Sequence, residues 1–306
     1  MNRRQFIQNT AASSLVVGTE ILAQTPKSVF VPNPKTKLKI MATNWGWAGS
    51  IDGFCEAAKK EGYDGIELWW PDSTKDQKEL FAALDKHNLD IGYLCGGSQK
   101  DPVQHLASFK KALAEASTLS ARKPLYINCH SGRDFFGYDQ NKAFIDLTTE
   151  VSAKTNITIA HETHRSRMLF AAHVTQHFID KNPDLRLTLD ISHWCNVHES
   201  LLADQPEAVQ KALARTVHLH ARVGHQDGPQ VNDPRAPEWS EALKTHLGWW
   251  DIVVERLTKE NKTVTILTEF GPPTYMPTLP YTLQPVADQW AVNVYMMQLL
   301  RKRYLG

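Results

Sequence analysis

The sequence predicts an α/β protein built as one (β/α)8 barrel. Short apolar runs alternate with longer amphipathic segments from Leu38 to Tyr304. The runs are rich in Ile, Leu and Val with little polar alternation, as strands covered on both faces should be. The chain has 306 residues, a length that such barrels reach as a single domain.

Taken in order, Leu38–Trp45 reads as the first strand and Asp52–Glu61 as a helix. Gly65–Trp70 and Leu89–Cys95 are the next strands, followed by helices at Lys75–His87 and Pro102–Leu119. Strand four is Pro124–His130 with helix Asn141–Lys154, and strand five is Asn156–His164 with helix Leu169–Lys181. Strand six is Leu185–Ser192, followed by a short helix near Glu207–Ala214. Strand seven is Thr216–Val223, leading through a loop at about His225–Glu238 to helix Trp239–Lys259. Thr263–Phe270 is strand eight and Pro285–Tyr304 the closing helix. An open doubly wound sheet is the alternative. It would usually place a glycine-rich phosphate loop after its first strand, and Asn44-Trp45-Gly46-Trp47 is no such loop.

The formal net charge of +1 gives no broad attraction for nucleic acid or anionic membrane. Thirteen histidines and nine tryptophans enrich the chain in metal ligands, proton carriers and flat apolar walls. At the N-terminus, Arg3-Arg4 precede a short apolar stretch, Ala11–Leu22. Such a run is too short to span a bilayer and reads as an export signal. The Arg-Arg-x-Phe-Ile pattern resembles a twin-arginine signal. Residues 1–25 are therefore assigned to the signal and 26–306 to the barrel, with a periplasmic or otherwise exported location. Cys55, Cys95, Cys129 and Cys195 show no CxxC spacing and are expected to be mostly buried thiols.

Polar residues gather at the C-terminal strand ends, where barrels of this kind build their sites. Glu162, Asp190, His220 and Glu269 close strands five to eight. Converging carboxylates repel and lose hydration unless a cation or proton compensates. Three carboxylates and an imidazole suit one divalent ion, Mn²⁺ first, with Mg²⁺, Co²⁺ or Zn²⁺ as alternatives. His218 shares a face with His220, but His220 lies nearer the strand end and is the better ligand. His130, His164, Arg165 and His225 stand ready to contact substrate, with Glu67 behind the ligands. Trp45, Trp47, Trp69 and Trp70 read either as packing or as surfaces on which a sugar stacks.

Tyr63-Asp64-Gly65-Ile66-Glu67-Leu68, Glu162, Asp190-x-x-His193, His218-x-His220 and Glu269 together resemble the xylose isomerase-like sugar phosphate isomerase/epimerase superfamily. The D-tagatose/D-psicose 3-epimerase branch is the clearest reference, and the resemblance spans the chain after the signal. It implies that Glu162, Asp190, His220 and Glu269 bind the metal. It further implies that Glu162 and Glu269 serve as the catalytic acid and base, and that His193 contacts a substrate oxygen. Those epimerases carry a substrate-binding arginine six residues after the strand-seven histidine. This chain has Gln226 there, with Arg222, His225 or Arg235 as candidates to compensate. The run His161-Glu162-Thr163-His164-Arg165-x-Arg167 adds basic groups untypical of that branch.

The expected activity is metal-dependent isomerisation or epimerisation of a keto sugar by proton abstraction beside its carbonyl. A lyase acting on 3-keto-glycosides by β-elimination is the alternative on the same site. A non-catalytic sugar-binding protein is the alternative of another class. The expected partner is a small sugar or glycoside, with no nucleic acid and no membrane span in the mature chain; a homo-oligomer is compatible with all of these.

Overall fold

The computed structural model describes residues 30–306, so the expected export signal lies outside the described residues. Val31–Gly306 forms one compact unit. Among the described residues no helix is long and apolar enough to cross a membrane.

The strands are β1 Lys37–Thr43, β2 Gly65–Trp69, β3 Asp90–Gly96, β4 Tyr126–His130, β5 Ile159–Glu162, β6 Leu187–Leu189, β7 Thr216–His220 and β8 Thr263–Thr268. All pair in parallel in chain order, and β8 closes on β1 with Leu38 opposite Val264. The helices are α1 Ile51–Glu61, α2 Thr74–His87, α3 Pro102–Thr118, α4 Tyr138–Thr155, α5 Ala172–Lys181, α6 Ser192–Val197, α7 Pro206–Arg215, α8 Ser240–Lys259 and α9 Gln289–Leu305. This is the predicted (β/α)8 barrel.

Local chemistry sets the element boundaries. Ser50, Ser73 and Asp101 accept backbone N–H bonds at the starts of α1, α2 and α3, satisfying donors that a helix leaves free. Gly62, Asn88 and Asn156 take left-handed conformations that stop α1, α2 and α4. Strand five therefore cannot begin at Asn156.

Inside the barrel the Tyr126 ring stacks on His218 at 3.7 Å between centroids. Gly92 makes room for it, since a β-carbon there would stand 2.4 Å from Tyr126 Cζ. The Tyr63–Leu68 segment braces the ring. Tyr63 Oη shares a 2.9 Å hydrogen bond with Thr268 Oγ1. The Asp64 carboxylate accepts from Ile40 N at 2.8 Å and from Arg301 at 2.9 Å. The four cysteines are free and buried; burial pushes the Cys55 and Cys195 thiols up to about 12.

Strand six is shorter than its apolar run implied. The chain leaves the sheet at Asp190, whose Oδ1 accepts from Ser192 N at 3.2 Å and from Ser192 Oγ. That turn starts α6, a helix the sequence reading did not anticipate, and it carries His193.

Candidate metal centre and active site

Strands β5 to β8 deliver Glu162, Asp190, His220 and Glu269 to one place. Each offers a ligand atom, and these four atoms lie within 4.8 Å of one another. The side chains are almost wholly buried; Glu269 is the most open at 9%. Thr163 ties the ends of β5 and β6 together: its hydroxyl donates to Asp190 O and accepts from Asp190 N, both at 2.9 Å. Glu162 and Asp190 are thereby fixed side by side.

His220 joins the carboxylates. Its Nδ1 donates to Glu269 Oε2 at 2.8 Å, and its Nε2 lies 3.5 Å from Glu67 Oε1. Burial disfavours an imidazolium there, but Glu269, Glu162 and Glu67 outweigh it and hold His220 well above the ordinary histidine range. Burial likewise works against ionised Glu67, while the adjacent His220 and His218 hold its carboxyl well below the usual range. Glu67 is thus the carboxylate behind the cluster, 3.3 Å from His218 Nε2. His218 itself donates to the Thr265 backbone at 3.0 Å.

Glu162 Oε2 accepts from Asn128 Nδ2 at 2.6 Å and from His130 Nε2 at 2.8 Å. Its Oε1 is buried without a partner. Burial, with Glu269 and Glu162 close by, pushes the Asp190 carboxyl up to about 7 against the opposing pull of Arg222. A divalent cation fits the grouping of these four ligand atoms. The orphaned Glu162 oxygen and the carboxylate-rich donor set both suit a hard or borderline ion. Glu67 with His218 and His220, and His130 with Glu162 and His164, form two further groupings of metal-ligating type.

A cavity of about 440 Å³ opens above the cluster, with Glu67, Glu269, Arg222, His130 and His164 in its walls. Trp45 and Trp69 also line it and stay 37% and 49% exposed, whereas Trp70 is buried and donates to Glu115 at 3.1 Å. Trp47 packs on Phe54 and Trp290. Tyr275, from the loop after β8, stands edge-on to Trp45 at 4.8 Å.

The remaining candidates fall in different places. His193 is fully buried beneath the cavity wall, with Arg222 donating to its Nε2 at 2.8 Å and the His164 ring 3.9 Å away. Burial, then His164 and Arg222, keep it neutral. Arg165 lies over Tyr275 at 5.0 Å and reaches Asn196. His225 does not join the site: its ring packs on Trp239 at 4.7 Å, because the chain turns back through the His225–Gly228 bridge. Arg235 is engaged by Asp233. Arg222 is the arginine that enters the site, two residues beyond His220 and on the same alternation. Asn128 was equally accessible to that logic, two residues before His130. Tyr275 comes from an irregular loop with no periodicity to reveal it.

Residues 55–246 match the family described as a xylose isomerase-like TIM barrel. The chain belongs to that family. No curated protein matches it in sequence. Among solved structures, the family member resembles 3-keto-D-glucoside 4-epimerase from E. coli at 13% identity and TM-score 0.54, over 87% of this chain and 100% of that one. It resembles a D-tagatose 3-epimerase-like protein at 15% identity and TM-score 0.56, over 87% and 96%. A sugar phosphate isomerase/epimerase from Parabacteroides distasonis aligns at 13% identity and TM-score 0.54, over 86% and 93%. At such identities the likeness is one of fold.

Proposed function

We propose that this family member is a metal-dependent keto-sugar isomerase or epimerase. The observation that carries the reading is the convergence of Glu162, Asp190, His220 and Glu269, of which Glu269 lines a cavity with two open tryptophan walls. Glu162, Asp190, His220 and Glu269 would hold the ion, Mn²⁺ by preference, and the ion would supply polarisation of the substrate carbonyl.

Glu269 lines the cavity and acts as the base that takes the proton from the carbon beside the carbonyl. Glu162 does not reach the cavity wall, but His130 does and bonds to it at 2.8 Å. Proton return therefore comes through His130, whose ring the Glu162 carboxylate holds in place. Return to the same carbon from the other face inverts its configuration, and return to the neighbouring carbon moves the carbonyl. Trp45 and Trp69 supply flat faces for a sugar ring. The names of two structural neighbours, an epimerase of a 3-keto-glucoside and a tagatose epimerase-like protein, support the same class.

The cavity volume favours a second reading on the same residues. About 440 Å³ lies within the roughly 300–1,000 Å³ of sites for drug-sized ligands and leaves room beyond one sugar ring. A 3-keto-glycoside would fit, and the carbanion could expel its aglycone. The twin-arginine-like N-terminus supports such a substrate, since an exported enzyme meets glycosides. Metal analysis and incubation with keto sugars and 3-keto-glycosides in deuterated water test both readings. Deuterium uptake with one sugar converted into its epimer or isomer supports the first, and a released aglycone supports the second. A protein that binds sugar without any exchange is a non-catalytic binder, and the proposal fails.

A further inference from the structure

Arg222 is 1% exposed and among the largest fully buried side chains. A buried guanidinium is costly unless ionic and hydrogen-bonding partners surround it, and here those partners are the candidate metal ligands. Its Nη2 bonds to Asp190 Oδ2 and also donates to His193 Nε2 at 2.8 Å. Its Nη1 lies 3.6 Å from Glu269 Oε2, and its Nε donates to Ser192 Oγ at 3.2 Å. The Tyr275 ring lies 5.0 Å and the Trp45 ring 6.0 Å from the guanidinium carbon, so the group sits at the cavity wall with aromatic cover.

We infer that Arg222 is a built-in counter-cation of these carboxylates and competes with the divalent ion for Asp190 and Glu269. This rests on the metal-site reading above. Both oxygens of Asp190 are engaged, Oδ1 by Ser192 and Oδ2 by Arg222. An incoming ion must share or displace the Arg222 contact, and it meets like charge beside two of its ligands. Loading the ion and seating the guanidinium on Asp190 are therefore negatively coupled, and the coupling is reciprocal. Arg222 lines the cavity, so a guanidinium released from Asp190 is already placed beside the substrate space.

The test titrates Mn²⁺ alone into metal-free wild type, Arg222→Gln and Arg222→Lys by calorimetry, with thermal unfolding of each protein before and after loading. Competition predicts that Arg222→Gln binds Mn²⁺ roughly tenfold more tightly. It also predicts a lower metal-free Tm and a larger rise on loading. Arg222→Lys keeps the charge without the planar fork and falls between the two; it carries the comparison if the Gln variant does not fold. Equal Mn²⁺ affinity in wild type and variants overturns the inference while leaving the metal site standing. Weaker binding by the variants also overturns it, and makes Arg222 a positioning residue for Asp190. Folded proteins that bind no Mn²⁺ at all overturn the metal-site reading instead.

Discussion

His130 Nε2 lies 2.8 Å from Glu162 Oε2, joining a residue of the cavity wall to a carboxylate that the wall conceals. Burial would raise the Glu162 carboxyl, but His130 and His220 hold it well below its usual range. With proton return passing through His130, His130→Ala lowers kcat by about 10²-fold or more, the contribution of one general acid/base group. Imidazole added to the assay should restore part of the loss. An unchanged kcat removes His130 from the route.

Glu269 is proposed to be the base, and Glu269→Gln keeps its size while removing its charge. Turnover should drop by about 10²–10⁴-fold, with solvent deuterium uptake into the sugar lost to the same degree. The circular dichroism spectrum should stay that of the wild type. Full activity in this variant on a substrate turned over by the wild type would show the assignment to be wrong.

Most of the barrel was readable because each strand must be apolar on both faces and each helix amphipathic, which leaves two distinct periodicities. The site was readable because alternation aims His218, His220 and Arg222 the same way. The Tyr63–Leu68 segment carried more structure than function: Asp64 ties the entry of β2 to β1, Tyr63 bonds to Thr268 on β8, and of this segment only Glu67 reaches the cluster. The reading failed where side chains redirect the backbone. Asp190 and Ser192 end β6 early and start α6, which no hydrophobic pattern reports. His225 was misplaced for another reason: its turn is set by backbone bonds with Gly228. Tyr275 depends on the path of an irregular loop, and its neighbours in sequence say nothing of its neighbours in space.

Gly224 joins that turn to the site. A β-carbon there would lie 2.7 Å from Ser192 O and 2.8 Å from Ser192 Cα, both backbone atoms with little freedom to yield. Gly224→Ala should destabilise the fold by about 1–3 kcal/mol, the usual range for overpacking. It should also disturb the metal centre, because Ser192 holds Asp190 and bonds to Arg222. Denaturant midpoints and Mn²⁺ titration measure the two effects. A variant with wild-type values of both would mean that α6 moves freely, contrary to the contacts described.

The backbone N–H of Gly224 donates to His246 Nε2 at 3.2 Å, while His246 Nδ1 donates to Ala242 O at 2.8 Å. Both ring nitrogens are therefore committed in the neutral form, and a proton on Nε2 would face a donor. Burial lowers the histidine from 6.5 to about 4. The sign follows from which state takes the proton. Above pH 6.5 the ring is neutral folded and unfolded, and it adds no pH dependence. Below that the unfolded chain gains a proton that the folded chain refuses, so stability falls until about pH 4. At 1.36 kcal/mol per pH unit the loss approaches about 3 kcal/mol. Denaturant unfolding between pH 7 and 4 should show this decline in the wild type and a shallower one in His246→Gln. Parallel curves for the two proteins would place the acid sensitivity elsewhere.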